Sequence, residues 1–281
     1  MIVSASRRTD IPAHYGDWFH QRLRAGYVLV RNPANRKQVS RVPLDRESVD
    51  IFVFWTKDPR PFFPVLDELD ARGYPYFFHF TLNDYPRAVE PNIATVAERV
   101  ATLRALSARI GPERIVWRYD PVLFTPEITE DVHLRSFKHL CGELEGQVSG
   151  CAFKFLDGAA PSRREFVGQL AEISRKHGIE LEGCCGEDFD EFGVKRMVCV
   201  DRAKMERLSG RRITVRRDDC ARFAACRSVR TVDIGAYDTC RNGCVYCYAG
   251  GCLKDVPRFD ADSELLGPPL RGDENITLRT S

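Results

Sequence analysis

Short apolar runs alternate with amphipathic stretches along most of the chain. The run over residues 51–55 is apolar at every position, which is typical of a strand buried on both faces of a parallel sheet. Between such runs, apolar residues recur at steps of three and four. The clearest stretch covers residues 93–110, with Asn92 as the candidate cap. This alternation predicts an α/β fold in which helices cover a parallel sheet.

The same pattern places seven strands. They are predicted over residues 2–6, 27–30, 51–55, 76–80, 114–119, 151–155 and 179–181. Helices are predicted between them, over residues 10–26, 62–71, 93–110, 129–145 and 162–177, with Asp10 and Ser162 as N-terminal caps. Seven repeated units favour a TIM-like (β/α) barrel over an open sheet.

The regular pattern ends near residue 183. We predict a barrel body over residues 1–183, a cysteine-rich segment that binds a cluster and closes the barrel over 184–256, and a surface tail over 257–281. The stretch Val232-Asp-Ile-Gly235 is a candidate further strand. If it lies in the barrel sheet, the chain has the order of a circularly permuted barrel.

Composition limits the function classes. With 43% hydrophobic residues among 281, the chain can bury a substantial core. Its formal net charge is +2, from 42 basic and 40 acidic side chains, which gives no general case for nucleic-acid or membrane binding. No run approaches transmembrane length, and the N-terminus carries no export signal. We expect a cytoplasmic protein without a membrane partner.

The cysteine content points to metal or redox chemistry. The chain has 11 cysteines, an odd number, and most of them lie between residues 184 and 247. Without an export signal this pattern argues against a disulfide scaffold. Cys141 and Cys151 lie in a predicted helix and a predicted strand, and we interpret both as packing residues.

Three cysteines form a compact Cys-x3-Cys-x2-Cys array. They are Cys240, Cys244 and Cys247, with Tyr246 directly before the last. Three thiolates on one short loop suit a four-iron cluster that leaves one iron open. Zinc is an alternative if Cys252 supplies a fourth thiolate, although zinc sites usually combine two well-separated Cys pairs. Cys252 could equally complete a fully ligated electron-transfer cluster; we interpret it as a free thiol.

This array resembles the signature of the radical S-adenosylmethionine (SAM) superfamily. There the open iron chelates SAM, and one-electron transfer cleaves SAM to a 5′-deoxyadenosyl radical. The resemblance implies a [4Fe-4S] cluster on the three thiolates, Tyr246 against the adenine, and an electron donor such as flavodoxin or ferredoxin. Two features depart from the usual pattern: the array lies near the C-terminal end, and no Gly-Gly-Glu stretch for SAM binding is present.

Further thiols are candidates for a second cluster. Auxiliary clusters are frequent in the superfamily, and four more thiolates are available for one. They are Cys185 (or its neighbour Cys184), Cys199, Cys220 and Cys226. The alternative for Cys184 and Cys199 is simple packing, because free cysteines are often buried.

Polar residues follow the predicted strands at the ends where barrel enzymes have their active sites. The candidates for catalysis are Lys57, His79, Arg118, Asp120 and Lys154, and those for binding SAM are Arg7, Arg8 and Asp10. An inward-facing cation requires an anionic partner, such as the SAM carboxylate or an acidic substrate. Internal salt bridges, for example Arg118 with Asp120, are the alternative.

Two further resemblances bear on function. Residues 2–12, 31–33, 53–57 and 232–240 are similar to a bacterial family described only as a domain of unknown function. The end of the array is also similar to the cluster loop of spore photoproduct lyase, a radical SAM enzyme of DNA repair. The sequence therefore predicts a radical SAM enzyme that abstracts hydrogen from an unidentified substrate, small molecule or other. A non-catalytic iron–sulfur redox or sensor protein and a nucleic-acid enzyme with structural clusters remain alternatives.

Overall fold

The computed structural model describes residues 1–156, 163–184, 188–216, 226–250 and 260–279. The strands are β1 (Ile2–Ala5), β2 (Tyr27–Asn32), β3 (Asn35–Pro43), β4 (Ile51–Thr56), β5 (Tyr76–Thr81), β6 (Ile115–Val122), β7 (Cys151–Phe155), β8 (Leu181–Gly183), β9 (Lys195–Arg196), β10 (Val232–Asp233) and β11 (Asn275–Leu278). The α-helices are α1 (Ile11–His14), α2 (Gly16–Ala25), α3 (Phe63–Ala71), α4 (Val96–Ile110), α5 (Glu130–Leu144), α6 (Arg164–Lys176) and α7 (Arg202–Ser209).

The main sheet contains eight strands in the order β10-β1-β4-β5-β6-β7-β8-β9, and all neighbours are parallel. Helices α3, α4, α5 and α6 connect successive strands from β4 to β8, as parallel pairing requires. The predicted α/β fold with a parallel sheet is confirmed. Among the helices described, none joins the length of a membrane span to a sufficiently apolar sequence.

The outer strands of the main sheet, β9 and β10, are both short. Within the described ranges no strand pairing joins them, so closure into the predicted TIM-like barrel is not shown. The chain segments that flank β9 and β10 are nevertheless joined by backbone hydrogen bonds. The N–H of Val229 donates to the carbonyl of Val200 at 3.0 Å, and the N–H of Arg230 donates to the carbonyl of Arg216 at 2.9 Å. We call residues 195–216 and 226–230 the seam.

The second predicted strand belongs to a different sheet. Strand β2 pairs antiparallel with β3, and β11 adds parallel to β3, in a separate three-stranded sheet. The strand predicted at residues 27–30 is confirmed, but its predicted place in the barrel sheet is wrong. A turn at residues 33–34 folds the chain back into a hairpin, so β2 has an antiparallel neighbour and no crossover helix. Part of the predicted surface tail forms β11, whose residues are exposed.

Two helix boundaries also differ from the prediction. The helix predicted over residues 10–26 is interrupted at Tyr15, which separates α1 from α2. Helix α4 begins after Thr95, whose hydroxyl and Glu98 form a reciprocal capping box, so Asn92 is not the cap. The cap predicted at Ser162 lies outside the described residues.

The two faces of the main sheet have different surroundings. Residues such as Val3, Phe54 and Phe78 belong to the large core that includes the helices. Their neighbours along the strands, such as Val53 and Phe77, pack in a second core with Met205 of α7 and other seam residues. Side chains alternate between the two faces along a strand. His79 of β5 and Arg118 of β6 therefore lie on the same face as the second core, further towards the C-terminal ends of the strands.

The end of β10 packs closely against the end of β1. Val232 pairs with Val3, and the Asp233 carboxylate accepts hydrogen bonds from the Ser6 hydroxyl at 2.7 Å and the Arg7 N–H at 2.8 Å. The strand predicted just before the cysteine array thus lies in the main sheet. Gly235 follows so closely that a Cβ placed on it would lie 2.0 Å from Ser6 Oγ.

Adding a methyl group at Gly235 tests this close approach. We expect Gly235→Ala to lower the free energy of unfolding by about 1–3 kcal/mol, because the Ser6 side chain and the strand end must shift. The control is Gly142→Ala in α5, where an added Cβ meets only His177 at 3.7 Å. Helix propensity predicts a gain of about 0.5–1 kcal/mol there. Urea unfolding of both variants makes the comparison; equal stabilities would contradict the expectation.

Candidate functional site

A cavity of about 330 Å³ lies at the C-terminal ends of the parallel strands. Its volume is in the range of ligand-binding sites. It is lined by residues at or just beyond the C-terminal ends of β1, β4, β5, β6 and β7, together with the cysteine-bearing segments. The predicted site residues that line it are Arg7, Arg8, Asp10, Lys57, Arg118, Asp120, Lys154, Cys199, Cys226, Cys240, Cys244, Tyr246 and Cys247.

The three thiols of the array face this one cavity. Burial raises the pKa of Cys240 to about 11 and that of Cys244 to about 12. The N–H of Ala249 donates to the Cys247 sulfur at 3.4 Å. Within the described ranges, no three Cys, His, Asp or Glu side chains already stand in the arrangement of a metal site. The thiols therefore share a wall but would have to converge to bind metal.

Residues after β1 hold the cysteine loop, which we define as residues 238–250. One oxygen of Asp10 caps α1, and the other accepts hydrogen bonds from the Lys57 N–H at 2.8 Å and the Asn242 amide at 3.1 Å. The same amide accepts a hydrogen bond from the His14 ring at 2.8 Å. Both carboxylate oxygens of Asp10 are engaged, so this predicted SAM-binding residue positions the loop.

Residues between β5 and α4 hold the other side of the loop. The Tyr246 hydroxyl donates to Glu90, whose carboxylate also lies 2.8 Å from Lys57 Nζ and 3.7 Å from Arg99. Burial favours the neutral acid, but the two cations outweigh burial and hold the pKa of Glu90 below its usual value. The N–H of Val245 donates to the Val89 carbonyl at 3.1 Å. Sequence reasoning missed Glu90, because a single acid in a loop carries no pattern.

Several predicted cations have internal partners. Lys57 forms a buried ion pair with Glu90, and the buried Arg118 pairs with Asp120, which is partly exposed. Arg8 donates to the Gly235 carbonyl at 3.3 Å and lies 3.9 Å from Asp233. The internal salt bridge considered for Arg118 is therefore present. These side chains shape and charge the cavity wall, and their charges are already balanced in part.

His79 lies one layer below the cavity. Its ring is completely buried and stacks on Trp55 at 3.9 Å, and its Nε2 donates to the Cys199 carbonyl at 2.7 Å. Burial and the nearby Arg118 charge hold the pKa of His79 well below its usual value. It does not line the cavity, in contrast to the prediction of a side chain that points into the site.

Trp55 takes the place expected for His79. Its ring lines the cavity, and the guanidinium groups of Arg7 and Arg118 lie 5.1 Å and 5.6 Å from the ring centroid. Both distances fit cation–π contacts. Sequence reasoning missed this residue because it ends an apolar strand and resembles a core position.

A second group of thiols lines the same cavity. Cys184 and Cys199 are hydrogen-bonded neighbours, and Arg118 lies 3.5 Å from the Cys199 sulfur. The Cys226 thiol donates to Ser228 at 3.4 Å. The other candidate ligands, Cys185 and Cys220, lie outside the described residues, as does Cys252.

Cys141 and Cys151 are completely buried in the large core, which confirms that they are packing residues.

Removing the Glu90 carboxylate tests how the loop is held. Glu90→Ala leaves two buried cations without their partner, and we expect a loss of about 3–5 kcal/mol in the free energy of unfolding. The control is Glu143→Ala, which breaks an exposed pair with Arg104 and should cost less than about 1 kcal/mol. Chemical denaturation measures both; a small loss for Glu90→Ala would show that the buried pair does not stabilise the loop.

Comparison with family models confirms the resemblance of the sequence to a family of unknown function. Neither a search of curated proteins nor one of solved structures finds a match. A family model with the description "Domain of unknown function (DUF1848)" matches residues 2–249, which is nearly the whole chain. The chain therefore belongs to this DUF1848 family.

Proposed function

We propose that this protein is a radical SAM enzyme. The observation that carries the proposal is the position of Cys240, Cys244 and Cys247: all three thiols line one cavity at the C-terminal ends of parallel strands. A four-iron cluster on these thiolates would leave one iron open for SAM and would supply the electron that cleaves SAM to methionine and a 5′-deoxyadenosyl radical. The substrate would give up a hydrogen atom to that radical.

The residues of the loop fit such a cluster in their chemistry. Thiolates are the ligands that iron–sulfur clusters prefer, and the three lie within eight residues. Gly243, at φ 69°, provides the left-handed turn between the first two ligands, a conformation that side chains disfavour. Glu90 and Asp10 hold the loop on two sides, which keeps the three thiols on the wall of one cavity.

The topology supports a permuted arrangement of the radical SAM barrel. Strand β10 lies beside β1 at the edge of the parallel sheet, directly before the cysteine loop. We propose that β10 holds the place of the first strand of the usual barrel and that the seam completes the wall between β9 and β10.

The cavity residues suggest separate roles. Tyr246, anchored through its hydroxyl, presents its ring to the cavity and would pack on the adenine. Arg7 and Arg8 would bind the SAM carboxylate. Arg118 and Lys154 would contact the substrate. Lys57 would hold Glu90 in place, and Asp120 would hold Arg118.

We also propose an auxiliary cluster on the second group of thiols. Cys184, Cys199 and Cys226 line the cavity and supply three soft ligands. One of Cys185 or Cys220 would supply the fourth.

The first test is loss of a single array ligand. Protein purified without oxygen and reconstituted with iron and sulfide should show a reduced-cluster EPR signal that changes on adding SAM, and it should form 5′-deoxyadenosine. With Cys244→Ala both the SAM-dependent change and the product should disappear. Cys141→Ala, which alters a buried packing cysteine, is the control and should keep both.

The outcome separates the candidate functions. If Cys244→Ala still forms 5′-deoxyadenosine, the radical SAM assignment is wrong. Iron bound by the native protein with a signal that ignores SAM would indicate a redox or sensor protein. Zinc in place of iron would exclude a cluster enzyme.

Iron content tests the auxiliary cluster. The reconstituted native protein should hold about eight irons per chain, and Cys199→Ser about four. The SAM-dependent EPR change should persist in Cys199→Ser, since the array is intact. An unchanged iron content would contradict the second cluster.

A further inference from the structure

The positive charge of the chain is concentrated in the seam. Its residues, 195–216 and 226–230, include ten Lys or Arg and two Asp or Glu, a net charge of +8. The whole chain carries only +2, so the remainder is −6. Two of these cations have acidic partners outside the seam, Lys195 with Glu180 and Arg211 with Asp50, and the remaining positive charge favours acidic partners.

Exposed guanidinium groups form the outer side of the seam. They belong to Arg196, Arg207, Arg212, Arg216, Arg227 and Arg230, all exposed. Arg196 and Arg227 line one surface depression together with Asp188 and Asp190. The backbones of Arg216 and Arg230 are hydrogen-bonded, which brings the two parts of the seam together.

The inner side of the same backbone faces the cavity. Cys226 and Ser228 line the cavity, while Arg227 between them is exposed and lines the outer depression. Likewise Cys199 lines the cavity and its neighbour Val198 lines the depression. Only one layer of backbone therefore separates cavity thiols from the basic surface.

We propose that the seam is the docking surface for an acidic protein that delivers single electrons to the cavity. This inference rests on the proposed function, because each SAM cleavage consumes one electron. That electron breaks the bond between sulfur and C5′, which leaves methionine and the 5′-deoxyadenosyl radical, and the donor is oxidised by one electron. Docking at the seam brings the donor to within one layer of backbone of the thiol-lined cavity.

Two observations favour a protein over a nucleic acid. The exposed large apolar side chains among the described residues all lie outside the seam, so it offers no aromatic platform for stacking bases. The depression also combines Asp188 and Asp190 with the two arginines. Mixed charges suit a partner surface with both signs, whereas a uniform phosphate backbone would be repelled by the carboxylates.

Charge reversal tests the docking surface. An acidic flavodoxin and an acidic ferredoxin serve as probes for the full-length protein, with affinity measured by calorimetry at about 50 and 200 mM salt. At least one probe should bind, more weakly at high salt. Arg196→Glu combined with Arg227→Glu should weaken this binding by about tenfold or more. The matched control is Arg135→Glu with Lys138→Glu, two exposed positions of α5, which should leave the affinity unchanged.

Binding of neither probe, or equal loss in both double variants, overturns the docking proposal. Salt-dependent binding of a DNA duplex that disappears with the seam variant, without binding of either probe, would replace it with a nucleic-acid surface.

SAM cleavage driven by dithionite separates this result from the proposed function. The seam variant should keep dithionite-driven cleavage while it loses cleavage driven by the protein donor. If the native protein binds a donor but never cleaves SAM with dithionite, the radical SAM assignment fails and the docking surface stands.

Discussion

The contact between the ends of β1 and β10 is the constraint on which the candidate site depends. Asp233 accepts hydrogen bonds from a side chain and a backbone N–H at the end of β1, and Gly235 leaves no space for a side chain against Ser6. Hydrogen bonds to a carboxylate are among the stronger ones in proteins. Because the cysteine loop follows within a few residues, this contact places its thiols at the C-terminal edge of the sheet.

Internal ion pairs balance part of the charge around the cavity. Glu90 pairs with Lys57 and lies near Arg99, and Arg118 pairs with Asp120. A buried charge without a partner is costly, so these pairs must form before any ligand arrives. This part of the charged wall is therefore organised in advance, and the cysteine loop is attached to it through Tyr246 and Glu90.

The seam gives the molecule two electrically different regions. Its apolar residues fill the second face of the sheet below the cavity, its cysteines line the cavity, and its arginines face outward. One segment thus contributes to the core, the proposed auxiliary site and the proposed docking surface.

The sequence alone was sufficient for the parallel α/β fold, the compact cysteine array and most residues of the cavity wall, since strand and helix periods and ligand spacing are local properties. It failed for β2, where a hairpin replaced a crossover, and for Glu90, Trp55 and Asp233, which had no local signature. Only the tertiary structure decided that Asp10 holds the loop and that His79 lies beneath Trp55. Such roles depend on which distant groups satisfy each buried polar atom, and that is settled by packing.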